Sequence, residues 1–140
     1  MNSRKYQVAV ILVNYNSSQY TLDCVRSIQA QTHSVRYQII ITDNNSRPEE
    51  KSKLNELLRL PNVQVIFNPE NLGFSGANMI GVKSADADYY YFLNNDCILL
   101  NDCISILYDF MVSHPEAANA SGEMFIADGT YEYNFRYFPS

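Results

Sequence analysis

The sequence predicts an α/β fold: a doubly wound, mostly parallel sheet with flanking helices and a small C-terminal β-hairpin. Three observations carry this. Short apolar runs alternate with amphipathic segments, the pattern of successive βαβ units. The first apolar runs are continuous rather than alternating, which suits strands buried on both faces. The 140 residues suffice for one domain, taken as residues 1–140, and are too few for two ordinary ones.

The elements follow in order. Gln7 to Val13 is a β-branched run and reads as the first strand. Ser17 or Ser18 can cap a helix whose Leu22, Val25 and Ile28 recur at three-residue intervals. Tyr37 to Thr42 is the second strand. Ser46-Arg47-Pro48-Glu49 matches a capping box with proline in the first turn, and it opens a helix with Leu54, Leu57 and Leu58 inward. Val63 to Phe67 is the third strand, and a helix runs from near Ser75 to about Ser84. Tyr89 to Leu93 is the fourth strand. Asp102 can cap a helix carrying Cys103, Ile106, Leu107 and Phe110 that ends before Pro115. Met124 to Ala127 and Thr130 to Tyr133, around Asp128-Gly129, read as a hairpin with a primed turn.

Composition removes several function classes. A hydrophobic fraction of 46% and a charged fraction of 18% exclude a disordered, collagen-like or coiled-coil chain. Ten Lys and Arg against fifteen Asp and Glu give a net charge of −5, so no basic face is available for nucleic acid. No apolar run approaches the roughly 20 residues that cross a bilayer, and Val8 to Val13 is too short for a signal peptide. The expectation is a cytoplasmic protein, with docking on the inner face of a membrane left open. Cys24, Cys97 and Cys103 are odd in number and lack CxxC spacing, so they read as free, mostly buried thiols. His33 and His114 stand apart from them and from each other.

Ligands of doubly wound sheets collect at the carboxyl ends of the strands, where the winding reverses. The segments there are Asn14-Tyr15-Asn16, Asp43-Asn44-Asn45, Asn68 to Gly76 and Asn94-Asn95-Asp96. Asn, Asp and Gly also favour turns on their own account. Four such loops on one edge favour a site.

Two phosphate-binding devices are missing. There is no GxxxxGK[ST], and Gly73-Phe74-Ser75-Gly76 lacks the GxGxxG spacing. The loop after the first strand has no glycine to bring its backbone against a pyrophosphate. A divalent cation held by Asp96 would neutralise one instead, since Mg²⁺ and Mn²⁺ favour carboxylate and phosphate oxygens. Asp43 stands where a carboxylate can accept from a base or ribose.

Val8 to Asn16, Ile39 to Ser46, Asn71-Leu72-Gly73-Phe74-Ser75-Gly76-Ala77-Asn78 and Phe92-Leu93-Asn94-Asn95-Asp96 together resemble the ordered motifs of family-2 glycosyltransferases with the GT-A fold. They are most similar to the rhamnosyltransferase-like group of bacterial polysaccharide synthesis. The resemblance implies roles by position. Tyr15 packs on the nucleotide base, with Asn16 in the same nucleotide-binding loop. Asp43 hydrogen-bonds the base. Asn94-Asn95-Asp96 occupies the Asp-x-Asp position, so Asp96 ligates the metal bridging the diphosphate and Asn95 helps position metal or donor sugar. Asn71, Gly73 and Asn78 belong to a loop and helix start near the nucleotide. Asn94 departs from the motif's first Asp and makes the site less acidic.

Each assignment has a plainer alternative. Asp96 can be a loop carboxylate or cap, Asp43 an Asx turn, and Tyr15 a rim aromatic. Asn71, Gly73 and Asn78 can serve turn geometry alone. The implied function is transfer, with inversion, from a UDP-, dTDP- or GDP-sugar to a saccharide or lipid-linked acceptor, with Mg²⁺ or Mn²⁺ as cofactor. The alternatives are a nucleotide-binding fragment or homologue without catalysis, and a nucleotidyltransferase, which the missing glycine-rich loop disfavours. The expected chain is the donor-binding portion of a longer enzyme, ending before the acceptor part and its catalytic base. Exposed apolar surface would then promote homo-oligomers.

Overall fold

In a computed structural model of the chain, the first apolar run forms β1 (Tyr6–Asn14) and the remaining elements follow in the expected order. They are α1 (Ser18–Gln31), β2 (Tyr37–Asp43), α2 (Pro48–Lys53) with a following 3₁₀ turn (Leu54–Arg59), and β3 (Val63–Phe67). Then come α3 (Gly73–Ser84), β4 (Ala87–Phe92), α4 (Cys103–Ser113), and the short strands β5 (Met124–Phe125) and β6 (Tyr131–Glu132). The structure describes residues 4–122 and the backbone of the paired segments 124–125 and 131–132.

Strands β1 to β4 make one parallel sheet in the order β3-β2-β1-β4. The winding reverses between β1 and β4, so the loops after these two strands flank the crevice where such sheets bind ligands.

Register assigns the two faces. Val8, Val10 and Leu12 of β1 share a face with Ile39 and Ile41 of β2. They cluster with Leu22, Val25 and Ile28 of α1, with Leu54 and Leu57, and with Ile104 of α4. Ala9, Ile11 and Ile40 alternate to the opposite face, where α3 lies against β1 and β2. There α3 approaches so closely that a Cβ on Gly81 would stand 2.7 Å from Ile11 Cγ2.

Several local expectations change. Leu58 is 54% exposed, because the helix tightens into a 3₁₀ turn after Lys53 and rotates it off the inward face held by Leu54 and Leu57. The cap of α1 is not its own serine. The Ser18 backbone N–H donates to Glu50 Oε2 at 3.0 Å, and the Ser18 hydroxyl donates to the Glu50 carbonyl at 2.7 Å. A carboxylate from α2 thus satisfies the start of α1. Those bonds, Ser18's N–H first, and the Lys53 ammonium at 3.2 Å hold the Glu50 carboxyl below the usual range against the opposing effect of burial.

The expected capping box is also replaced. Arg47 is the N-cap of α2, Pro48 takes the first helical position, and Glu49 pairs with Arg47. Ser46 turns inward to Asp43 instead. Asp102 does cap α4, accepting from the Ser105 N–H at 3.3 Å. Met124 pairs with Glu132 and Phe125 with Tyr131, antiparallel as expected. A two-residue turn at Asp128-Gly129 would pair Phe125 with Glu132 instead; the turn itself lies outside the described residues.

Candidate functional site

The carboxyl ends of β1, β2 and β4 and the start of α3 surround an open cleft of about 460 Å³. It is lined by Val13, Tyr15, Ser17, Asn44, Asn71, Gly73, Phe74, Asn94, Asn95 and Asp96. Three of its loops need left-handed backbone: Asn16 has φ 50°, Asn45 φ 62° and Gly73 φ 74°. Asn and Gly tolerate that region best, which is why these residues recur there.

Tyr15 follows the last residue of β1 and is 51% exposed on the cleft wall, a ring face open to stacking. Asn71 Oδ1 accepts from the Gly73 N–H at 2.8 Å and so fixes the entry to α3. Asp96 is exposed and makes no hydrogen bond or ion pair among the described residues. Asn95 is tied down: its Nδ2 donates to Ser17 Oγ at 2.8 Å and Thr21 Oγ1 at 2.9 Å. The Asn94 carbonyl accepts from the Cys97 N–H, and the Cys24 thiol reaches it at 4.0 Å. Burial pushes that thiol up to about 12, so Cys24 stays protonated and inert.

Asp43, Asn16 and Asn78 do not line the cleft. The Asp43 carboxylate is fully buried: Oδ1 receives Asn14 Nδ2 at 2.8 Å and the Ser46 hydroxyl at 2.6 Å, and Oδ2 receives the Ser46 N–H at 3.0 Å. Its expected hydrogen bond to a base is therefore replaced by the turn role. The physical reason is strand alternation, since Asp43 falls on the same face as Ile39 and Ile41, beneath α1. Asn16 is likewise a structural residue. Its N–H donates to Ser46 Oγ and its Oδ1 accepts from the Arg47 N–H, both at 2.8 Å. Asn78 sits in the second turn of α3.

The residue of this segment that lines the cleft is Asn44, next along the chain. Its Nδ2 donates to the Gly73 carbonyl at 3.1 Å, and its Oδ1 accepts from Asn68 Nδ2 and the Leu72 N–H at 3.2 Å. Asn44 thereby sews the β3–α3 loop to the end of β2. Val13, Ser17 and Phe74 also form the wall, without a site role expected from the sequence.

Among the described residues, no three His, Cys, Asp or Glu side chains come together to hold a metal ion. The donors present are one free carboxylate, Asp96, and neighbouring amide oxygens. That set fits Mg²⁺ or Mn²⁺, which take one or two carboxylates and complete their shell from substrate phosphates and water. No Lys or Arg lines the cleft, so the described side chains supply no charge to offset a diphosphate.

Comparison with known proteins decides the family. Residues 9–139 match the profile of "Glycosyl transferase family 2". The chain belongs to this family. An uncharacterized glycosyltransferase of Rickettsia conorii is 29% identical over 105 residues, which is 75% of this chain and 17% of that protein. A Bacillus subtilis glycosyltransferase, TuaG, provisionally named for teichuronic acid biosynthesis, is 28% identical over 132 residues, 93% of this chain and 52% of its own length. Among solved structures, S. aureus TarS in complex with UDP superposes with a TM-score of 0.68 at 19% identity, over 78% of this chain and 33% of that one. TarS in complex with UDP-GlcNAc gives 0.68 at 18% identity, over 78% and 32%. These likenesses establish the GT-A glycosyltransferase fold for the family-2 chain. The chain spans about a sixth of the Rickettsia relative, about a third of TarS residues 1–349 and a fifth of the longer TarS chain. No helix among the described residues is long and apolar enough to cross a membrane.

Proposed function

We propose that this family-2 chain binds a nucleotide-sugar donor in the β1/β4 cleft, as the donor-binding portion of a transferase that builds a cell-surface polysaccharide. The observation that carries the reading is the placement of Tyr15 and Asp96 on one cleft at the reversal of the sheet. Tyr15 stacks on the base, Asn44 holds the β3–α3 loop in place beside it, and Asp96 would hold a divalent cation to offset the diphosphate. The TarS complexes favour uracil as the base, so UDP is the donor nucleotide of this proposal. A bound cation would offset the charge of the departing diphosphate. The acceptor is a saccharide or a lipid-linked saccharide and attacks with inversion; a rhamnosyltransferase-like subgroup and a cytoplasmic location at the membrane face belong to the same proposal. Asp102 is committed to capping and to the His33 N–H, so it is not the acceptor's base.

Calorimetry with UDP, with and without Mn²⁺, tests this. Tyr15→Ala weakens binding in both conditions by about 1–3 kcal/mol through lost stacking. Asp96→Ala removes only the gain that Mn²⁺ confers. Wild-type affinity in both variants would sink the reading.

A further inference from the structure

Asn95 is held by its nitrogen, and a chain of buried hydrogen bonds explains why. A hydroxyl has one hydrogen to give. Thr21 gives its own to Asn14 Oδ1 at 2.7 Å and Ser17 gives its own to the same oxygen at 3.4 Å, so toward Asn95 both hydroxyls can only accept. Asn14 is fully buried; with Oδ1 taken by Thr21 and Ser17, its Nδ2 turns to Asp43 Oδ1 at 2.8 Å and to Ser18 Oγ at 3.1 Å, and the Ser18 hydroxyl is free to rotate where the Asp43 carboxylate is not. Asp43 sets the direction. The Ser46 N–H is an obligate donor to its Oδ2. The Ser46 hydroxyl accepts the Asn16 N–H at 2.8 Å, which leaves its hydrogen for Asp43 Oδ1. Asp43 only receives, and every group outward from it has one orientation.

We infer that Asp43 is a positioning residue that acts through Asn14 and Thr21 to turn the Asn95 amide oxygen toward the cleft, as an acceptor for a divalent cation beside Asp96. This rests on the nucleotide reading of the same cleft. The consequence is a polarity. Two acceptors side by side repel a diphosphate until a cation stands between them, whereas a nucleoside is indifferent to the cation.

Asp43→Asn reverses the chain. The new amide keeps its oxygen on the Ser46 N–H and offers NH₂ to Asn14, which turns its oxygen inward, where the Ser18 hydroxyl rotates from the Glu50 carbonyl to donate to it, and its NH₂ to Thr21 and Ser17. Thr21 and Ser17 then donate to Asn95, whose NH₂ swings to the cleft. Side-chain amide NMR of the ligand-free protein reads this directly. The Asn95 NH₂ protons exchange slowly in wild type and about tenfold faster in Asp43→Asn, the size set by a lost hydrogen bond. Thr21→Val removes the shorter of the two links from Asn14 and serves where Asp43→Asn does not fold; Ser17 keeps the other, so exchange speeds up by less than in Asp43→Asn, and Thr21→Ser restores it. In titrations with UDP, uridine and Mn²⁺, the Mn²⁺ gain for UDP falls about tenfold in Asp43→Asn and by less in Thr21→Val, while uridine affinity holds in both. Unchanged Asn95 exchange in both variants, or equal weakening of UDP and uridine, overturns the inference. A wild type that binds no UDP refutes the nucleotide reading, while the exchange arm still decides whether Asp43 orients Asn95.

Discussion

The two faces of the sheet are built from the same strands and end differently. On one face α1, α2 with its 3₁₀ turn, and α4 close over β1 and β2, and Val10, Leu12, Ile39 and Ile41 are fully buried. On the other face α3 covers β1 and β2. Register puts Tyr90 and Phe92 of β4 beside Ala9 and Ile11 on that face, and they remain 46% and 51% exposed. The difference shows that apolar content alone does not bury a strand; a helix must cover it. It also divides labour. The closed face carries the polar chain from Asp43 to Asn95, where exclusion of water gives each hydrogen bond one direction.

Substitutions can break this contrast at graded cost. The largest effect belongs to the closed face: Ile41→Ala leaves a cavity among α1 and β1 and lowers stability by about 2–5 kcal/mol, read from urea unfolding. On the other face, Gly81→Ala drives a Cβ against Ile11 and costs about 1–3 kcal/mol, because α3 must move off the sheet. An unchanged midpoint would show that this helix seats loosely. A smaller, pH-dependent effect attaches to Glu50. Its folded carboxyl is held below its unfolded value near 4.5, so its stabilisation is present above that pH and is lost as pH falls through the folded value. Glu50→Gln is therefore less stable than wild type at pH 7, and the gap closes on acidification below about pH 4.5. The smallest effect is Phe92→Ala, within about 0.5 kcal/mol, since the ring is half in solvent already.

Much of the fold was legible locally. Continuous β-branched runs, Pro48 at the first turn of α2, and Asp102 before α4 each act within a few residues, and each element stands where those signals put it. The caps that failed are the ones supplied from afar: Glu50 reaches α1 from 32 residues away. Tyr15, Asn71, Gly73, Asn95 and Asp96 were placed on the cleft by following the strand ends, and the structure brings these five together.

What the sequence determined by itself was the order of elements, the parallel sheet and the edge where its polar loops gather. Only the tertiary structure decided which of two neighbours, Asp43 or Asn44, faces that edge. Side chains alternate along a strand, and the alternation has meaning only once a helix covers one side. With α1 over Ile39 and Ile41, the next residue of that parity, Asp43, goes beneath the helix and Asn44 is left to the cleft.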